Sequence, residues 1–291
     1  MPNDTATTFE AHRDRLFGIA YRMLGDVAAA EDVVQDAYLR WHGVDAATVD
    51  TPAAYLTTVV THLCRDALTA AQRQREVYPG PWLPAPLVDA RSATPPQAER
   101  DAALSMGVLV LLETLTPIQR AVYVLRESFD VSYAAIARIV DRSPATCRKI
   151  AQRARQHVGS RNHRFATSRR EREDVVRAFV SAIEDGDPER LGTILAEDAI
   201  SYSDGGGEVT AALRPIYGRD RITRFLLGIA GNAPEGLVVE HQHVNGEPGL
   251  LLHVESQVQS VWAFDVLDGR LHTLYTVLNP AKLHHIDPAA L

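Results

Sequence analysis

Cysteine is nearly absent from this chain, which limits the kinds of site that the chain can build. The 291 residues include two cysteines, Cys64 and Cys147, and these lie far apart with no Cys-x-x-Cys or Cys/His spacing. A disulfide framework or a zinc scaffold needs more thiols than this. The sequence therefore favours a reduced, cytoplasmic protein, and we expect neither a metal site nor a cofactor.

Long apolar runs are also lacking. No run reaches the length that spans a bilayer, and the N-terminal segment has no signal-peptide core, so we expect no membrane contact. Apolar residues make up 46% of the chain and charged residues 23%, as in globular proteins. The length predicts two or three domains.

Acidic residues are missing between Arg142 and Arg170, where nine basic residues occur. Two helical patterns meet at the start of this stretch. The first begins after Ser132, and the second begins with Ser143 as its N-cap and Pro144 at its first position. A short packed helix followed by a capped basic helix is typical of a helix-turn-helix. Six residues are therefore candidate DNA contacts: Arg142, Ser143, Thr146, Arg148, Lys149 and Arg153.

Charge divides the chain into two unlike halves. Residues 1–170 hold 21 Lys and Arg against 18 Asp and Glu, a net charge of +3, whereas residues 171–291 hold 9 against 19, a net charge of −10. A basic half joined to an acidic half indicates two functions, and the halves are complementary enough for one to dock on the other.

Two helices of the basic half carry polar faces. One face, around residues 31–36, leaves two interpretations open: a solvated surface, or a docking face for a basic partner. The next helix begins at Thr51-Pro52, and its outward side chains include groups that contact bases and phosphates. An ordinary amphipathic helix is the alternative. The residues concerned are Glu31, Asp32, Gln35 and Asp36 on the first helix, and Thr58, Thr61, His62 and Arg65 on the second.

A Pro-rich stretch follows, from Tyr78 to Pro96. It can form neither a helix nor a central strand. Because Tyr78, Trp82 and Leu83 are too apolar for a passive spacer, we expect them to pack on a domain. Beyond it the pattern predicts helix over residues 98–115 and 117–127.

After about residue 170 the pattern changes to helices followed by strands of period two. Asn245-Gly246 and Asp268-Gly269 are strong hairpin turns, and residues 204–207 form a flexible Asp-Gly-Gly-Gly turn. Helices followed by an antiparallel meander predict an α+β domain whose curved sheet encloses a pocket.

These motifs, in this order, resemble an extracytoplasmic-function sigma factor of RNA polymerase. EDVVQDAYLRWH resembles the polymerase-binding segment of sigma region two, TPAAYLTTVVTHLCRDAL resembles its promoter-melting helix, and LTPIQRAVYVLRESFDVSYAAIARIVDRSPATCRKIAQRARQHV resembles region four. YPGPWLPAP, DGGG and NPAKL resemble motifs of the SigJ-type subgroup, which carries a C-terminal SnoaL-like domain of the nuclear-transport-factor-2-like superfamily. The first and last of these motifs usually carry an acid where Ala85 and Ala281 stand.

The resemblance implies a multidomain protein. Its expected parts are an all-α region two over residues 5–77, a Pro-rich linker over 78–98, a region four with its helix-turn-helix over 99–163, and a cone-shaped α+β barrel over 171–291. It also implies that the protein is not an enzyme and has no catalytic residues. The implied partners are promoter DNA and the clamp helices of the largest subunit of core polymerase.

Regulation is the role that we expect of the C-terminal domain, through intramolecular docking on the sigma domains in place of a separate anti-sigma protein. The residues expected at this interdomain site are Tyr78, Trp82, Leu83, Asp204, Gly205, Gly206, Gly207, Asn279, Pro280, Lys282 and Leu283.

Three alternatives remain open at this point. The C-terminal domain could be an enzyme, with Tyr202, Asp204, His241, His243 and His253 as candidates for a base, an oxyanion donor or a metal ligand. The whole protein could be a dimeric helix-turn-helix repressor that senses a ligand in its barrel. It could also be a small-molecule enzyme with an accidental basic helix. Co-purification with core polymerase distinguishes the last two from a sigma factor.

Overall fold

A computed structural model describes residues 3–45, 48–75, 77–89, 104–159 and 168–291. The chain forms two compact units, each made of two separate segments. Unit 1 comprises Met1–Val77 and Leu111–Arg161, and unit 2 comprises Tyr78–Val110 and Asn162–Leu291. The chain therefore leaves unit 1 after residue 77 and returns to it after residue 110.

Unit 1 is built from helices. In chain order these are α1 (Asn3–Leu24), α2 (Val27–His42), α3 (Pro52–Arg75), α5 (Pro117–Tyr123), one π-helical turn (Val124–Ser128), α6 (Tyr133–Val140) and α7 (Pro144–Gly159). The short helix α4 (Met106–Leu112) spans the boundary between the units. Helix was expected from residue 98, but the part before residue 104 lies outside the described residues.

Local signals in the sequence explain where these helices begin. The side chain of Asp26 accepts a hydrogen bond from the N–H of Ala29 at the start of α2. At α5, Thr116 and Gln119 form a reciprocal capping box, with Pro117 at the first helical position. Such caps satisfy N–H groups that have no partner within the helix, so they fix each helix start.

The N-terminal half of unit 1 has an apolar interior. Trp41 is fully buried, and its indole N–H donates to the Thr5 carbonyl at 2.9 Å. Phe9, Leu16 and Leu56 are also buried. An aromatic anchor with a satisfied polar group fixes how α1 and α2 pack.

Unit 2 contains a seven-stranded sheet with helices on one face. The strands are β1 (Val88–Asp89), β2 (Leu195–Asp204), β3 (Ile216–Tyr217), β4 (Leu237–Val244), β5 (Glu247–Val254), β6 (Gln257–Leu267) and β7 (Arg270–Val277). The helices are α8 (Arg169–Glu184), α9 (Pro188–Ile194) and α10 (Arg219–Ala230). The order of the strands in the sheet is β1-β4-β5-β6-β7-β2-β3. Strands β2 and β7 pair in parallel, and the other pairs are antiparallel.

Both predicted hairpin turns are confirmed. Asn245 and Gly246 have φ angles of 54° and 74°, and Asp268 and Gly269 have 50° and 71°. Two successive residues with positive φ match the right-handed twist of the flanking strands, which is why Asn-Gly and Asp-Gly favour this turn.

The two faces of the sheet have separate apolar cores. One face packs against α8, α9 and α10 through side chains such as Phe179, Trp262 and Phe264. The other face packs against Leu83 of the linker, against Met106 of α4, and against Leu283 near the C-terminus. The fold class is therefore as expected: helical domains and an α+β domain. Over the described residues, no helix has the length and apolar character needed to cross a membrane.

Candidate functional site

The helix-turn-helix is formed by α6 and α7. Ser132 caps α6 by accepting from the N–H of Ala135, and α6 ends at Asp141 in the left-handed conformation, with φ of 52°. Ser143 then accepts from the N–H of Thr146 at 3.1 Å, which starts α7. The left-handed Asp141 at the end of α6, followed two residues later by the Ser143 cap of α7, produces the sharp turn between the helices.

The two faces of α7 differ in polarity as the sequence predicts. Cys147, Ala151 and Ala154 are buried. Side chains on the other face are exposed, namely those of Arg142, Ser143, Thr146, Arg148, Lys149 and Arg153. A row of exposed cations and hydroxyls at the N-terminal end of such a helix suits phosphate and base edges. The basic stretch continues to Arg161 and Arg164, which lie outside the described residues.

Of the four candidates on α3, Thr61 is not available to DNA in this arrangement. Thr61 is fully buried, and its hydroxyl donates to the Thr57 carbonyl at 2.7 Å. Thr58 also donates to the carbonyl one turn back, at 2.8 Å, although it remains partly exposed. The expectation that Thr61 faces outward is wrong here, because a Thr hydroxyl can be satisfied inside a helix by the preceding turn. Arg65 is partly exposed.

His62 contacts the helix-turn-helix directly. Its Nε2 lies 2.7 Å from the carbonyl oxygen of Ile139, near the end of α6. Within unit 1, a residue expected to hold melted DNA is therefore engaged by the DNA-reading region.

A buried arginine forms a second connection between the N-terminal and C-terminal halves of unit 1, and this one involves α1. Arg120 on α5 is 2% exposed, and its Nη1 donates to the Met23 carbonyl at 2.7 Å and to Glu113 at 2.6 Å. Burial lowers the pKa of Arg120 to about 10, so the side chain stays charged at neutral pH. Sequence reasoning missed Arg120. The available signal was its position within the apolar run from Ile118 to Leu125.

The polar face of α2 is largely exposed. Asp32, Gln35 and Asp36 are exposed, whereas Glu31 forms an ion pair with Arg13 of α1 at 2.6 Å. Glu31 is thus partly neutralised within the protein. Leu39, one turn beyond Asp36 on the same face, is 62% exposed, and sequence reasoning did not single it out.

The most completely buried polar group of unit 2 is the carboxylate of Asp204. It is fully buried and accepts from the Tyr78 hydroxyl at 2.5 Å, from the N–H of Leu83 at 2.8 Å, and from Lys282 at 2.7 Å. The N–H of Gly206 adds a contact at 3.1 Å. Asp204 therefore joins the linker to the C-terminal segment, and we call this set of contacts the linker anchor.

Lys282, near the C-terminus, is the cationic member of the linker anchor. Its ammonium group, 5% exposed, donates to the Leu83 carbonyl at 2.5 Å as well as to Asp204. It lies over the Trp82 ring at 4.0 Å and over the Tyr78 ring at 5.1 Å. A desolvated cation gains from such ring faces. Burial of the pair is tolerated because every charged atom has several partners.

Tyr78 is held as a hydrogen-bond donor. Burial, followed by the hydrogen bond to Asp204, raises the pKa of its phenol, so the hydroxyl stays protonated. The side-chain amide of Asn279 donates to the Tyr78 oxygen at 2.8 Å. Asn279 also caps the short helical turn at Pro280 by accepting from the N–H of Ala281.

The three glycines after Asp204 are required by close approach. A Cβ on Gly206 would lie 2.5 Å from the Asn279 side chain, and a Cβ on Gly205 would lie 2.3 Å from the Val209 carbonyl. On Gly207 it would lie 2.7 Å from Pro79 of the linker. Gly206 and Gly207 also have positive φ angles. The backbone of the Asp-Gly-Gly-Gly turn thus lies against the linker motif YPGPWLPAP through Pro79 and against the C-terminal motif NPAKL through Asn279.

The linker also extends the sheet. Val88 pairs with Val244, so β1 forms the edge strand beside β4. The Leu87 carbonyl accepts from the N–H of Asn245 at 2.7 Å, and the Pro86 carbonyl lies 2.9 Å from His285. Leu83 is 1% exposed and packs with Leu283. Addition of an edge strand couples the linker to the sheet through backbone hydrogen bonds.

The residues considered for catalysis do not form one site. Tyr202 and Asp204 lie on β2, whereas His241 and His243 lie on β4, and three strands separate β2 from β4. At about 4.8 Å per strand, the two groups are roughly 19 Å apart when the distance is followed along the sheet. His253, on β5, contacts the Glu255 carbonyl. Phe179, Trp262 and Phe264 fill the core between sheet and helices, with ring centroids 5.4–6.5 Å apart.

Comparisons with known proteins agree with this geometry. Residues 8–74 match the Sigma-70 region 2 family model, and residues 105–158 match the Sigma-70, region 4 model. The chain is 36% identical over 286 residues to the ECF RNA polymerase sigma factor SigJ of Mycobacterium tuberculosis, covering 94% of this chain and 91% of SigJ. It is 28% identical over 283 residues to the probable ECF RNA polymerase sigma factor SigI of the same species, covering 96% and 94%.

A solved structure supports the same comparison. The crystal structure of Mycobacterium tuberculosis SigJ superposes with a TM-score of 0.78 at 34% identity, covering 97% of this chain and 99% of that one. The similarity therefore extends over the sigma regions, the linker and the C-terminal domain together.

Proposed function

Because this chain belongs to the extracytoplasmic-function family of RNA polymerase sigma factors, we propose that its C-terminal domain restrains its two sigma regions by anchoring the linker between them. As a sigma factor, the protein directs core polymerase to promoters and performs no bond chemistry. The question specific to this chain is what the additional domain does.

The observation that carries the proposal concerns the two ends of the segment Tyr78–Val110, which contains the linker and runs between the two halves of unit 1. Gly80 and Val110 line the same cavity of unit 2, although 29 residues separate them along the chain. Such a segment could reach roughly 100 Å when extended. The linker anchor and β1 hold residues 78–89 on unit 2, and Gly80 and Val110 lie close together there.

The packing within unit 1 supports the same proposal. The Arg120 and His62 contacts join regions two and four to each other, and Thr61 is buried there. A linker with both ends held together favours this packed state, because a released linker would increase the freedom of the two regions to separate. We propose that separation is needed for both regions to contact a promoter.

Charge gives the proposed restraint a second component. The C-terminal half is strongly acidic and the first 170 residues are basic, so docking of one on the other would satisfy opposite charges. In this proposal the fused domain replaces a separate anti-sigma protein.

The contacts with partners are assigned by surface chemistry. We propose that Thr146, Arg148 and Lys149 of α7 read the major groove, with Arg142, Ser143 and Arg153 on or near phosphates. Region two would hold the non-template strand through Thr58, His62 and Arg65 once His62 leaves Ile139. The basic clamp helices of polymerase would meet Asp32, Gln35 and Asp36, and Leu39 would add apolar contact.

Substitution of Lys282 by Met in the full-length chain tests the restraint. It leaves Asp204 buried without its cation, so the linker should detach and promoter-dependent transcription with purified core polymerase should rise about tenfold, equivalent to about 1.4 kcal/mol. Arg270→Met is the matched control, since it also removes one cation from unit 2 but at an exposed position.

Two outcomes would contradict the proposal. Unchanged transcription with Lys282→Met would show that the linker anchor does not regulate. Reduced transcription, with Arg270→Met unchanged, would show that the C-terminal domain supports initiation and does not restrain it.

A further inference from the structure

A second cavity in unit 2 lies away from the filled interior of the cone. It is a wide cleft, largely open to solvent, with a volume of about 490 Å³, and it lies where the linker, α4 and β2 meet. Its walls include Pro81, Trp82, Val110, Tyr202, Leu213 and Pro215. This cavity is on the face of the sheet opposite α8, α9 and α10, so it differs from the pocket that the curved sheet was expected to enclose.

The lining favours one chemical class of ligand. Among the described residues that line the cavity, none carries a charge, and two are aromatic. Such a surface offers dispersion and ring stacking and gives no compensation for a desolvated charge. A volume of 490 Å³ lies within the range of small-molecule sites.

Exposed apolar surface at the cavity also favours an apolar ligand. Leu213 is 67% exposed although it lines the cavity. Large apolar side chains that remain exposed beside a concavity commonly mark a binding site. A flat molecule placed against Trp82 and Tyr202 would cover Leu213.

We propose that this cavity binds a neutral, flat, largely aromatic small molecule. Gly80 and Val110, at or near the two ends of the segment Tyr78–Val110, both line it, so a bound molecule would touch both ends. It would thereby act as an effector of the linker anchor. The binding itself does not depend on the regulation proposed above, and it can be measured without polymerase.

The test is a fluorescence titration of the full-length protein with N-phenyl-1-naphthylamine, a neutral aromatic probe that brightens in apolar sites. We expect saturable one-to-one binding to the wild-type protein. Leu213→Asp should weaken binding at least tenfold, because it removes an apolar wall and introduces a charge. Ile229→Asp is the matched control, since Ile229 is 41% exposed on the same unit and does not line the cavity.

Non-saturable binding, or equal affinity in both variants, would overturn the proposal. Hydrogen exchange on the wild-type protein gives an independent location for the probe. Saturation with the probe should protect amides near Trp82 and Leu213. Protection confined to the smaller cavity near His241 and Gly249 would place the ligand elsewhere and would also overturn it.

Discussion

At the scale of single residues, Asp204 connects the linker to the C-terminal segment. One buried carboxylate accepts from two residues of the linker and one near the C-terminus. Its partners lie up to 126 positions away in sequence, so these bonds form only in the folded unit. A buried charge of this kind costs little while it is fully satisfied, and much when one partner is lost.

Asp204→Asn should therefore destabilise unit 2 by about 3 kcal/mol or more, because it leaves the Lys282 ammonium buried without a counter-charge. Chemical denaturation of the full-length protein, followed by Trp fluorescence, measures the change. Asp198→Asn, on the same strand but with a side chain that is 86% exposed, should change stability by less than about 0.5 kcal/mol. Similar losses in the two variants would show that the Asp204 contacts contribute little.

Some of these local features could be predicted from the sequence alone, whereas the pairing of Asp204 with Lys282 could not. The caps at Ser132 and Ser143 and the Asn-Gly and Asp-Gly turns follow from local rules, and they are found as expected. Asp204 and Lys282 could be named from family resemblance, but composition and spacing give no indication that they pair. Their contact joins segments 78 positions apart, and no periodicity within either segment encodes it.

At the scale of elements, the packing of α5 against α1 depends on a charged side chain in an apolar setting. Arg120 is 2% exposed, while the helices around it present mainly apolar side chains. Because periodicity alone treats an arginine as outward-facing, this contact could not be predicted from the pattern. The same limit explains why Thr61 was expected to face outward although it is buried. Its hydroxyl donates to a carbonyl of its own helix.

Arg120→Met should loosen this packing, since it leaves Glu113 and the Met23 carbonyl without their donor. We expect a loss of about 3 kcal/mol in the stability of unit 1 and faster hydrogen exchange in α3 and α5. Arg126→Met is the control, because Arg126 forms an i,i+4 pair at the surface worth less than about 1 kcal/mol. If α3 and α5 keep their protection in Arg120→Met, the buried arginine does not hold the two regions together.

At the scale of the whole molecule, chain order and spatial units do not coincide. The sequence predicts a linker over residues 78–98 and a separate domain over 171–291. Yet Tyr78–Val110 belongs with the C-terminal unit, through the linker anchor, β1 and part of α4. A Pro-rich stretch with Trp and Leu signals packing, but the sequence does not specify which domain it packs on.

Removal of the residues after 170 tests the role of the C-terminal domain as a whole. The shortened chain lacks every partner of the linker that unit 2 supplies from β2 onward, so promoter-dependent transcription with core polymerase should rise, in the same direction as Lys282→Met. Salt dependence of promoter binding, measured alongside, checks that the basic residues of α7 still contact DNA. Transcription equal to that of the full-length chain would exclude regulation in cis.

The separation of Leu83 and Lys282 in sequence has a consequence for biosynthesis. The two residues lie 199 positions apart, so the ribosome adds Lys282 about 10–40 s after Leu83 at ordinary elongation rates. Region two is translated before that interval and region four within it, so both are complete before Lys282 can close the linker anchor. Each new copy is therefore made with its linker unattached, and the linker anchor can form only after Lys282 has been synthesised.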